Sequence, residues 1–150
     1  MFKKILLATN GSKASKKAED YALYLVKTSG AQLTVVHVMD DKLCHYGYVD
    51  QLVPGTTKEQ FVSYVLSERA SAAQQAIYEF NEKAKEQKIL YDLKLRRGEP
   101  AKEIVAAAAE EKCDLVIVGG RHPSERKLFK STCTADKVAS QSPCSVTVII

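Results

Sequence analysis

The stretch Asp114-Leu115-Val116-Ile117-Val118-Gly119-Gly120 is apolar from Leu115 to Val118 and closes on two glycines. A run of this kind, without polar alternation, suits a strand covered on both faces, as in a parallel sheet between two layers of helices. Phe2 to Thr9 repeats the pattern with Ile5, Leu6, Leu7 and Ala8, and Asn10-Gly11-Ser12 breaks it. Leu33 to Met39 (LTVVHVM) is a third β-branched run, Ile89 to Leu95 alternates as a fourth strand, and Ser145 to Ile150 forms the last.

Helical periodicity fills the gaps between these strands. Ser12 suits an N-cap for a helix with apolar positions at Ala14, Ala18, Tyr21, Ala22, Leu25 and Val26, ended by Ser29-Gly30. A long helix is predicted from about Lys58 to Gln87, with Phe61, Val65, Ala72, Ala76, Phe80 and Ala84 spaced mostly four apart. Pro100 stands in the first turn of a short helix with Ile104, Val105 and Ala108 inward and Glu110, Glu111 and Lys112 outward. A last helix runs from about Thr132 to Ser140, with Ala135, Val138 and Ala139 on one side. Residues 40–57 and 121–131 read as loops. Strands alternating with helices imply βαβ units with right-handed crossovers. The expectation is one doubly wound α/β domain over residues 1–150.

Composition narrows the function. Hydrophobic residues make up 45% and charged residues 27% of the 150, an ordinary globular balance. Such a length buries roughly 70% of its unfolded surface and needs no disulfide or metal for stability. Lys and Arg number 22 against 18 Asp and Glu, and this excess of four is too mild to argue for nucleic acid. No apolar run approaches a membrane span, and the first apolar stretch stops at Asn10-Gly11, short of a secretory core. A cytoplasmic protein without nucleic-acid or membrane partners is expected. Cys44, Cys113, Cys133 and Cys144 form no C-x-x-C pair and no zinc spacing with histidine, so free structural thiols are expected.

Open parallel sheets bind ligands beyond the carboxyl ends of their strands, where strand order reverses. Three segments leave strands at that edge: Thr9-Asn10-Gly11-Ser12, the stretch after Val38, and Gly119-Gly120-Arg121-His122 with the loop that follows. That loop carries Arg121, Arg126, Lys127 and Lys130 against Glu125, and the helix beginning near Thr132 would offer N–H groups to an anion. A solvated basic loop and a simple Gly-Gly turn account for the same residues. No Walker A loop, G-x-G-x-x-G or G-x-S-x-G elbow is present. His37 reads as a structural histidine inside a strand, His45 as an isolated loop residue, and His122 as the histidine best placed for function. No nucleophile–base pair or carboxylate pair can be named, so the sequence gives no sign of an enzyme, a weak ATPase at most.

The chain resembles the universal stress proteins. The resemblance rests on Ile5-Leu-Leu-Ala-Thr-Asn-Gly-Ser12, Val36-His37-Val38, Gly98-Glu99-Pro100, Asp114-Leu-Val-Ile-Val-Gly119 and Ala135-Asp-Lys-Val138 followed by Ser142-Pro-Cys-Ser-Val146. It is collinear over essentially the whole chain and weakest between Asp40 and Lys88. It implies a five-stranded parallel sheet in the order 3-2-1-4-5, a Rossmann-like adenine nucleotide alpha hydrolase fold. It also implies a homodimer through the C-terminal strand, with Val146, Val148 and Ile150 as interface candidates.

One branch of the family binds ATP through a loop G-x2-G-x9-G-(S/T), with an aspartate after the first strand. Aligned on Gly119, this sequence places His122 at the second glycine, Thr132 at the third, Cys133 at the hydroxyl position and Asn10 at the aspartate. A side chain at His122 would crowd backbone N–H groups wrapping a phosphate, and a thiol donates more weakly than a hydroxyl. The resemblance therefore implies the branch without an intact ATP motif, acting through unidentified protein partners or a non-standard anionic ligand. No cofactor is then required. The alternative is a nucleotide-binding switch with slow or no hydrolysis and ATP with magnesium as cofactor. Its binding candidates are Thr9, Asn10, Val38, Gly119, Gly120, Arg121, His122, Arg126, Lys127, Thr132, Cys133 and Thr134. A third reading makes Cys133 a thiol sensor at a helix N-terminus.

Overall fold

Leu6 and Leu7 have no exposed surface, and this total burial marks β1 (Lys4–Ala8) as the central strand of the sheet. The computed structural model describes residues 2–10, 13–39, 72–120 and 134–150. Beyond β1, in chain order, stand α1 (Lys13–Ser29), β2 (Gln32–Met39), α2 (Ala72–Glu86), β3 (Tyr91–Arg97), α3 (Pro100–Glu110), β4 (Leu115–Gly119), α4 (Thr134–Gln141) and β5 (Ser145–Ile149). Five parallel strands lie in the order β3-β2-β1-β4-β5. The expected order is thereby met, and the reversal falls between β1 and β4.

The apolar runs divide by parity between two cores. Ile5, Leu7, Leu33, Val35, Leu115 and Ile117 face α1 and α2, where Ala18, Ala22, Leu23, Val26, Ile77, Phe80 and Ala84 meet them. Leu6, Ala8, Val36, Val116 and Val118 face α3 and α4, with Ala101, Ile104, Ala107, Ala108, Ala135 and Val138. At the amino edge, the Asp114 carboxylate accepts the backbone N–H groups of Lys3 (2.7 Å) and Lys4 (3.1 Å), which aligns β1 with β4. The Lys3 hydrogen bond first of all holds this carboxyl below the usual range.

Several sequence expectations shift. The inward face of α1 is Ser15, Ala18, Glu19, Ala22, Leu23 and Val26, while Tyr21 points to solvent. The helix is rotated because a buried carboxylate, not an aromatic ring, occupies the stripe. β3 starts two residues later than expected, leaving Leu90 86% exposed. Ala139 lies outside its helix's apolar face. The expected helix before Ala72 falls outside the described residues, as does the Ser12 cap.

Phe80 is fully buried and meets Tyr91 edge to face, with ring centroids 5.2 Å apart. Phe80→Ala is expected to cost about 3–5 kcal/mol in denaturant unfolding, since both transfer and cavity terms act there. A loss below about 1 kcal/mol would show that α2 does not anchor this core.

Candidate site at the carboxyl edge of the sheet

The reversal between β1 and β4 brings Thr9, Asn10, Gly119 and Gly120 to one edge, close to the start of α1. Thr9 is almost wholly buried and is held from three directions. Its N–H donates to the Val36 carbonyl at 3.2 Å, extending the β1–β2 ladder. Its carbonyl accepts from His37 Nδ1 at 3.1 Å. Its hydroxyl donates to Glu19 Oε1 at 2.6 Å. A carbonyl only accepts, so Nδ1 of His37 carries the proton. Burial pushes the His37 pKa down and favours the neutral ring. His37 thus joins β2 to the residue that follows β1 through the Thr9 carbonyl.

Asn10 and Ser15 bond reciprocally. The Ser15 hydroxyl donates to Asn10 Oδ1 at 2.7 Å and accepts the Asn10 N–H at 3.3 Å. The acceptor that Asn10 keeps in place of an aspartate is thus engaged by the first turn of α1.

The two glycines have packing reasons of their own. A Cβ on Gly119 would stand 2.6–2.7 Å from the backbone of Ala14 and Ser15. Only a hydrogen there lets α1 start directly against the end of β4. A Cβ on Gly120 would stand 2.6 Å from Val148 Cγ1, and the Gly120 N–H extends the β4–β5 ladder to the Ile149 carbonyl at 2.8 Å. Val38 is half-buried and turned into the core beneath α3 and α4. Thr134 opens α4, also half-buried. Arg121, His122, Arg126, Lys127, Thr132 and Cys133 lie outside the described residues.

A scan against family models matches the universal stress protein family over residues 1–149. The chain belongs to that family. Among relatives, the universal stress protein YxiE of Bacillus subtilis (strain 168) is 30% identical over 149 residues, covering 99% of each chain. Among solved structures, MJ0577 superposes with a TM-score of 0.70 at 21% identity, covering 99% of this chain and 96% of that one. A universal stress protein in complex with cAMP superposes with a TM-score of 0.64 at 20% identity, over 99% and 97%. These likenesses establish the universal stress protein fold.

Sequence reasoning missed Glu19 and Ser15. Glu19 is 2% exposed, with Lys83 Nζ 3.8 Å from its second oxygen. Its carboxyl is raised, chiefly by burial, against the lowering pull of the Thr9 bond and Lys83. The available signal was register: Ser15, Glu19 and Leu23 follow each other at intervals of four on the inward face. Among the described cysteines, Cys113 is buried and its thiol is pushed up to about 11, first by burial and next by Cys144. No cluster of three or more His, Cys, Asp or Glu fit to hold a metal occurs among the described residues. Nor is any described helix long and apolar enough to cross a membrane.

Gly119→Ala is expected to cost about 1–3 kcal/mol of stability in ligand-free protein, the usual range for overpacking. Unchanged unfolding would mean that the α1–β4 contact yields freely and that the glycine serves something other than packing.

Proposed function

We propose that this universal stress protein belongs to the branch without an intact ATP-binding motif. On this reading it acts in stress through protein partners or a non-standard anionic ligand, and is not an enzyme. The observation that carries it is the presence of His122, Thr132 and Cys133 at three of the motif's positions. The one glycine that the ATP motif and this chain share has a structural reason independent of phosphate, because α1 backbone fills the space beside it. Asn10 adds to this, since its side-chain oxygen is bonded to Ser15 within the protein.

The chain would work as a single domain in the cytoplasm, as a homodimer joined along β5. That strand is one edge of the sheet, with Ser145 and Ile150 exposed and residues 146–149 half-buried. Val146 and Val148 pack against the core under α3 and α4, so pairing would run through the open backbone edge rather than through their side chains. Sedimentation is expected to give a dimer; a monomer at every concentration would remove this part.

A second reading is a switch that holds an adenine nucleotide. The cAMP complex of a family member favours it, because a monophosphate makes fewer demands on the loop than a triphosphate. Thr9, Asn10, Val38, Gly119, Gly120 and Thr134 would then border the ligand, with Arg126 and Lys127 on the phosphate.

The test is thermal unfolding of ligand-free protein with and without millimolar Mg-ATP. It compares the native sequence with a His122→Gly, Thr132→Gly, Cys133→Ser variant. A ligand at 100 Kd stabilises by about 2.7 kcal/mol, and a domain of this size gains roughly 2–4 °C per kcal/mol. The native protein is expected to show no shift and the variant several degrees. A shift of several degrees in the native protein would put the switch first.

A further inference from the structure

Among the described residues, Glu19 is the acidic side chain drawn wholly into the protein, and it sits where α1, α2 and the end of β1 meet. Its two oxygens have different work. Oε1 accepts the Thr9 hydroxyl at 2.6 Å, and Oε2 lies 3.8 Å from Lys83 Nζ. Lys83 also donates to Asp20 at 3.1 Å. Lys16, one turn before Glu19, pairs with Glu79 of α2 at 3.8 Å. On the far side of Thr9, His37 of β2 donates to the same residue's carbonyl.

We propose that Glu19 is a proton-controlled positioning residue for the carboxyl edge: its charge sets how Thr9 is held and whether Lys83 is shared between Glu19 and Asp20 of α1 or held by Asp20 alone. The role rests on the reading of that edge as the ligand edge. It does not depend on which ligand binds.

The two charge states differ in definite contacts. With Glu19 ionised, Thr9 makes a charge-assisted bond, and Lys83 is shared between Glu19 and Asp20. When Glu19 takes a proton, Lys83 keeps Asp20 alone, and the Thr9 hydroxyl is left with a neutral, weaker acceptor. Thr9 is one residue from Asn10, so the change arrives at the ligand edge through the backbone.

Every charged neighbour enters the balance. Burial favours the proton; the Thr9 bond and Lys83 oppose it, Asp20 favours it and Lys16 opposes it, with burial the largest. The folded protein therefore holds this proton more tightly than the unfolded chain does. The stabilisation from protonation is fully present below the ordinary glutamate pKa and is lost as pH rises through the raised value.

The experiment follows backbone amide signals of Thr9 and Asn10 by NMR through a pH titration of ligand-free full-length protein. Both signals are expected to share an inflection above the ordinary glutamate midpoint. Glu19→Gln keeps the shape and an acceptor for Thr9, and should abolish that inflection. Lys83→Met should move it to higher pH. An inflection at the ordinary glutamate midpoint, none at all, or one that survives Glu19→Gln would overturn the proposal. Should Glu19→Gln fail to fold, Lys83→Met decides, since an unmoved midpoint refutes the role. No nucleotide is present, so failure here and failure of either ligand reading are separate results.

Discussion

The start of α1 lies against the end of β4, and the missing Cβ of Gly119 allows it. This contact fixes where α1 begins over the strand-order reversal, and the polar edge follows from it. Because α1 begins there, Ser15 reaches Asn10, and one turn later Glu19 reaches Thr9. A helix displaced by the width of a methyl group would break both bonds.

Placing a carboxylate on the inward face of α1 is costly, since a buried charge needs partners to offset its lost hydration. The partners come from two elements, a hydroxyl from the β1 end and an ammonium from α2. The result joins one helical layer to the loop that leaves the central strand. Thr9 in turn is held by β2 through Val36 and His37. Four elements thus agree on the position of a single residue at the sheet's carboxyl edge.

Much of the fold was legible because its signal is local and periodic. The unbroken apolar runs in β1 (Ile5, Leu6, Leu7) and in β4 (Leu115 to Val118) can only be satisfied with helices on both sides. Pro100 marked the start of α3. The face of α1 departs from its hydrophobic pattern at Tyr21 because hydrophobicity alone ranks a tyrosine above a glutamate for burial. That ranking inverts only when partners distant in sequence, here Thr9 and Lys83, are brought together by the fold. The glycine pair was legible as punctuation but not as packing, since the atoms that need the space belong to Ala14, Ser15 and Val148. Of the candidate site, the Thr9–Asn10 and Gly119–Gly120 segments converge as topology required, whereas the basic loop residues lie outside the described part.

We propose that this edge, with His122, Thr132 and Cys133 at the motif positions, does not offer the family's triphosphate cradle. Calorimetric titration of ligand-free protein with Mg-ATP tests it most directly. The account predicts no saturable heat through the micromolar range. A saturating isotherm with a Kd in the low micromolar range would contradict it.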